Sequence, residues 1–76
     1  MPYIHCYVAL IIMEYKHIKS GRIYNVISMD VINATNKDDG IVMVLYEGMK
    51  RDGNGVAKFV REYNEFINKF KPYNAT

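Results

Sequence analysis

The sequence predicts a mainly β domain with one short C-terminal helix, an α+β arrangement built on a small bent antiparallel sheet or SH3-like barrel of four or five strands. Three observations carry this. A chain of 76 residues has room for a single core. Runs rich in β-branched and aromatic residues alternate with polar, glycine-containing clusters. The apolar spacing then changes near the C-terminus from that of a strand to that of a helix. The expected layout is one domain: residues 1–13 an extra N-terminal strand, 14–61 the antiparallel sheet and 62–71 the helix.

Cys6 to Met13 is a run of eight uncharged residues containing Val8, Ile11 and Ile12. It suits a strand covered on both faces. A membrane-spanning helix needs roughly 20 apolar residues, and a secretory segment follows positive charge. No Lys or Arg precedes this run, so it is expected neither to export nor to anchor the chain. It would instead complete the chain's own sheet or form a homo-oligomer interface through residues 6–13.

Glu14 to Lys19 alternates, with Tyr15 and His17 on one side and Glu14, Lys16 and Ile18 on the other, before Ser20-Gly21 signals a turn. Arg22 to Ile32 reads as a long, bent strand interrupted by Ser28 and Asp30. Asn33 to Gly40, "NATNKDDG", is a polar reversal ending in Asp-Gly. Ile41 to Glu47 opens with six consecutive apolar residues and belongs in the middle of the sheet. Gly48 to Gly55, with its three glycines, connects it to Val56–Arg61 as a hairpin. Tyr63, Phe66, Ile67 and Phe70 then stand at helical spacing, Glu65 and Lys69 are ordered for an i,i+4 pair, and Pro72 ends the pattern.

Ten basic against eight acidic residues leave a formal charge of +2, far from that of a dedicated polyanion binder. Cys6 is the one cysteine, so no intrachain disulfide can form, and a reducing cytoplasm is the expected compartment. Asn33-Ala34-Thr35 and Asn74-Ala75-Thr76 match the glycosylation tripeptide and read as loop and tail polarity.

The densest polar constellation is Tyr15, His17, Lys19, Gly21 and Tyr24, alternate strand residues facing one way across a turn. His17 and the tyrosines can donate to a ligand whose negative charge Lys19 attracts. The preferred structural alternative makes the tyrosines core aromatics and has His17 hydrogen-bond the backbone to hold the first hairpin. Arg61 offers a bidentate clamp for phosphate or carboxylate, or an ion pair with Glu62, Glu65 or Asp30 that fixes the helix. Lys16, Lys19, Arg22, Lys58 and Arg61 would form a phosphate-tracking face with Tyr15 and Tyr24 if they gather, against a default of solvated mixed charge. "KRDGNG", Lys50 to Gly55, lacks a P-loop pattern and reads as a hairpin tip. His5, Cys6 and His17 are too few and too irregularly spaced for a metal site. No serine is offered both a histidine and an acid, and Asp38-Asp39 lies in a turn, so no metal, cofactor or catalytic set is expected.

The segments "YKHIKSGRIYNV" (15–26), "IVMVLYEG" (41–48) and "FVREYNEF" (59–66) resemble a family of short uncharacterised domains from bacteria and their phages. Its members share a Tyr-basic-His-x-Lys-x-Gly-x-x-Tyr-x-Val opening and a Val-Arg-Pro end followed by Phe. Val60, Arg61 and Phe66 match, while Glu62 stands where the proline is expected. The resemblance runs from about Tyr15 to Phe70, and Met13-Glu14-Tyr15 is similar to a family start, which leaves Met1 and Met13 as alternative starts. It implies a compact β-rich fold and a phage or mobile-element origin, and brings no activity with it.

Together these readings lead to a small non-enzymatic binding protein, a phage or mobile-element factor that binds and inhibits or redirects a host protein in the host cytoplasm. The alternative is a nucleic-acid or nucleotide-binding module. That module would use Lys16, Lys19, Arg22 and Arg61 with Tyr24, and under either reading the binding residues are expected among Tyr15, His17, Lys19, Arg22, Tyr24 and Arg61.

Overall fold

A computed structural model of the protein describes residues 13–73. Five strands form one antiparallel sheet: β1 (Met13–His17), β2 (Ile23–Ile32), β3 (Val42–Met49), β4 (Val56–Glu62) and β5 (Phe70–Pro72). A short 3-10 turn, Asn36–Asp38, links β2 to β3, and a helix, α1 (Tyr63–Lys69), links β4 to β5. Across the sheet the order is β4-β3-β2-β1-β5. The first four strands therefore follow one another as hairpins, and the chain returns through α1 to lay β5 along the free edge of β1. The Tyr73 amide extends that pairing by donating to the Glu14 carbonyl at 2.9 Å. Of the two forms expected, the bent open sheet is the one observed, with β4 and β5 as its edges.

Alternation sorts the strands into two faces. The inner face carries Tyr15, Tyr24, Val26, Val44, Tyr46 and Phe59, onto which Phe66 and Phe70 close from the C-terminal end. Val44 and Phe66 are wholly buried. Phe66 and Phe70 stack with ring centroids 4.2 Å apart and 8° between planes. Burial of one such side chain contributes about 1.5–3 kcal/mol, so this aromatic cluster is the main adhesive of a small core.

The register between β2 and β3 shifts between Val26 and Ser28 and again between Ser28 and Val31. Extra residues on one strand bend it, and Ser28 and Asp30 sit where the bend falls. Their side chains satisfy each other, Ser28 Oγ donating to Asp30 Oδ1 at 2.5 Å. At the β2–β3 reversal Asn33 Oδ1 accepts from the Thr35 amide at 3.0 Å, and Gly40 supplies the left-handed residue at φ 92°.

The helix is shorter than its apolar spacing suggested. Its last bond runs from the Phe70 amide to the Phe66 carbonyl, after which Phe70 is extended. Pro72 disfavours the helical conformation of Lys71, and the chain gains strand pairing instead. As an edge strand, β5 tolerates a proline. Helical spacing also overstated the buried face: Phe66 and Phe70 are buried, whereas Tyr63 and Ile67 are exposed.

The expected N-terminal strand and oligomer contact at Cys6–Met13 lie outside the described residues except for Met13, which opens β1 opposite Val26. Among the described residues no helix is long and apolar enough to cross a membrane.

Candidate anion-binding cleft

In a meander, alternate strands run parallel, so the turns that follow β1 and β3 emerge at the same end of the sheet. Both turns are rich in cations. The β1–β2 turn carries Lys19 and leads into Arg22; the β3–β4 loop carries Lys50 and Arg51. Between these turns lies an open cleft of about 500 Å³, within the span of roughly 300–1,000 Å³ usual for small-ligand sites. Its walls carry His17, Lys19, Arg22, Arg51 and Arg61, and its floor is made by the rings of Tyr24, Tyr46, Phe59 and Phe70. Among the described residues no carboxylate lines it, and Glu65 reaches its wall through the pair with Arg61.

The floor is a connected set of rings, edge-to-face around Tyr24 and tilted by 31° between Tyr46 and Phe59. Tyr24 is its centre, 5.4 Å from Tyr46, 6.0 Å from Phe59 and 5.6 Å from Phe70, each at a steep angle. Such geometry suits the aromatic quadrupole and holds each ring against its neighbours. Gly48 makes room for it: a Cβ there would stand 2.4 Å from Tyr24 Cδ2. Tyr24 can occupy the inner face because the facing position on β3 has no side chain.

Arg61 is held by three contacts. Its Nε–H donates to the Tyr46 hydroxyl at 3.2 Å, its terminal nitrogen pairs with Glu65, and its guanidinium lies 5.5 Å from the centre of the Phe70 ring. The hydrogen bond it donates to Tyr46, more than the Glu65 charge, raises its pKa. Glu65 was among the partners expected for Arg61, and the pair joins α1 to β4. The cation therefore stands at the cleft with its geometry already set.

His17 closes the first hairpin. Its Nδ1 accepts the Ser20 amide at 3.2 Å and the Ser20 hydroxyl at 2.7 Å, which makes it the Nε2–H tautomer. The Ser20 oxygen in turn accepts the Arg22 amide at 3.2 Å. Gly21 completes the turn in the left-handed region at φ 77°. Partial burial lowers the pKa of His17 below its usual 6.5, and the positive charges of Arg61, Lys69, Arg51 and Lys19 lower it further. The shift favours the neutral imidazole.

Five of the six residues singled out from sequence meet here: His17, Lys19, Arg22, Tyr24 and Arg61. Tyr15 does not; its ring packs on Phe66 with centroids 5.2 Å apart. The wider basic face also divides. Lys16 pairs in register with Ile23 on the outer face, and Lys58 lies there too, 3.9 Å from Glu47. Arg51, Tyr46, Phe59 and Phe70 belong to the site and were not anticipated. Arg51 was legible in principle, because a meander of these strands places the Lys50–Gly55 turn beside the Lys19–Arg22 turn. Among the described residues no group of three His, Cys, Asp or Glu side chains could hold a metal, and His5 and Cys6 lie outside them. The chain matches no protein-family model, no curated protein and no solved structure.

Proposed function

We propose that the protein is a non-enzymatic binding module for a phosphate-bearing ligand of the nucleic-acid class. The observation that carries this reading is the convergence of Lys19, Arg22 and Arg51, with Arg61 already paired to Glu65, around a floor whose half-buried rings are Tyr24 and Phe59. Cations draw and position phosphates, while aromatic faces accept bases of any sequence. The test is binding of short mixed-sequence single strands as salt is raised. Affinity is expected to fall steeply, with a log–log slope of about −0.7 per phosphate contact. Arg51→Ala should weaken binding by about tenfold, the loss of one charge-assisted contact, and make that slope shallower by one contact. Absence of salt-sensitive binding at low ionic strength would sink the reading.

A second reading, binding of a host protein partner, draws on the opposite face. There Ile27, Met49, Val56 and Val60 are exposed, with Val60 beside Leu45 and Val56 beside Met49 across the β3–β4 pair. Neighbouring exposed apolar residues on one face favour a protein contact. The same salt titration separates the two, because an apolar contact keeps its affinity as salt rises.

A further inference from the structure

The two edges of the sheet are finished differently. β5 is three residues long and carries Lys71 and Pro72, so it offers little to another strand. β4 is seven residues long, contains neither proline nor glycine, and pairs with β3 from Val56 to Glu62 without a register shift. α1 leaves β4 at its end and carries the chain to β5 at the opposite edge, so among the described residues nothing pairs with the free edge of β4. Such a regular edge presents amides and carbonyls that another strand can complete.

The side chains along β4 specify which strand. Val56, Lys58, Val60 and Glu62 alternate on the outer face, while Phe59 and Arg61 lie on the inner one. An antiparallel copy of β4, related by a twofold axis normal to the sheet, keeps like faces together, and the axis then passes beside one residue. At Lys58 it would set two ammonium groups side by side. At Phe59 it would set Lys58 against Val60 and Val56 against Glu62; at Arg61, Val60 against Glu62. At Val60 alone it sets Lys58 of each copy against Glu62 of the other, on both sides of a central pair of valines. Val60 is 58% exposed and sits beside Leu45 on β3, so that pair would join the apolar strips of two copies. Glu62 is exposed and has no ion-pair partner among the described residues, and Lys58, its side chain 66% exposed, reaches Glu47 only at 3.9 Å. We propose that the protein pairs with a second copy of itself, β4 against β4, in the register that places Val60 beside Val60. The contact is isologous and closes at two chains. Both clefts then open on the same face of one continuous sheet, whatever ligand they take.

The experiment is sedimentation equilibrium of the full chain at low salt, from about 1 μM to about 1 mM, the range that covers moderate to weak association. The mass should rise with concentration to twice the 8.9 kDa of the chain and no further. Val60→Lys should weaken association about tenfold or more by crowding cations at the axis. Glu62→Lys should weaken it about tenfold by setting like charges at both symmetric pairs, and adding Lys58→Glu to that variant should restore it. All three positions are exposed, and circular dichroism checks that the variants keep the fold. A chain that stays at 8.9 kDa throughout, whether its edge is bare or met by its own residues 1–12, overturns the proposal. So does a larger assembly, a dimer that either single substitution leaves intact, or one that the double reversal does not restore.

Discussion

His17 is the residue at which fold and ligand pull in opposite directions. Its pKa is lowered in the fold, so as pH falls through 6.5 the unfolded chain takes up protons before the native one does. The free protein should therefore lose stability on acidification. A bound phosphodiester acts oppositely: it neutralises the surrounding cations, raises the pKa of His17, and must bind more tightly as the ring gains its charge. Affinity should rise from pH 7 to pH 5.5 by at most about tenfold, the worth of one pKa unit, and His17→Gln should flatten that rise. Gly48 makes the complementary point about space. It needs no unusual backbone angle; it needs the absence of a Cβ 2.4 Å from the Tyr24 ring. Gly48→Ala should cost about 1–3 kcal/mol through overpacking, read as a lowered Tm, and should move the ring on which the cleft is centred.

At the scale of elements, the strands were legible and the ends of the helix were not. Strand propensity and alternation are local properties, so strands at Arg22–Ile32 and Ile41–Glu47 could be recognised without knowing their neighbours, although β3 continues through Gly48 and Met49, which read as loop. Phe70 could not be placed in this way. It continues the helical spacing of Phe66, and only its pairing opposite His17, far away in sequence, makes it a strand residue. Tertiary contact overrode local periodicity. The same reason hid Tyr46 and Phe59 as site residues: each is an ordinary strand aromatic until the sheet bends them around Tyr24. The short helix depends on one buried anchor. Phe66→Ala should destabilise the domain by about 3–5 kcal/mol, whereas Ile67→Ala, on the exposed side, should change stability by about 0.5 kcal/mol or less. Chemical denaturation of the two variants distinguishes an anchored helix from one held along its whole face.

For the whole molecule, the sheet explains why a chain of modest charge can still present a concentrated site. Parallel running of β1 and β3 gathers two cationic turns at one end, and the twofold alternation of each strand sends Lys58 to the outer face beside Glu47. Sequence showed which cations existed; topology decided which ones share a cleft. The pairing of β5 with β1 has a further consequence, one of timing. Phe70, which floors the cleft, and Phe66, which seals the core, come after all four meander strands in the chain. A polypeptide emerging from the ribosome can form its early hairpins but has no finished cleft until its last strand returns to its first. Incomplete or C-terminally clipped copies would thus lack the cleft and leave the ligand to the intact protein.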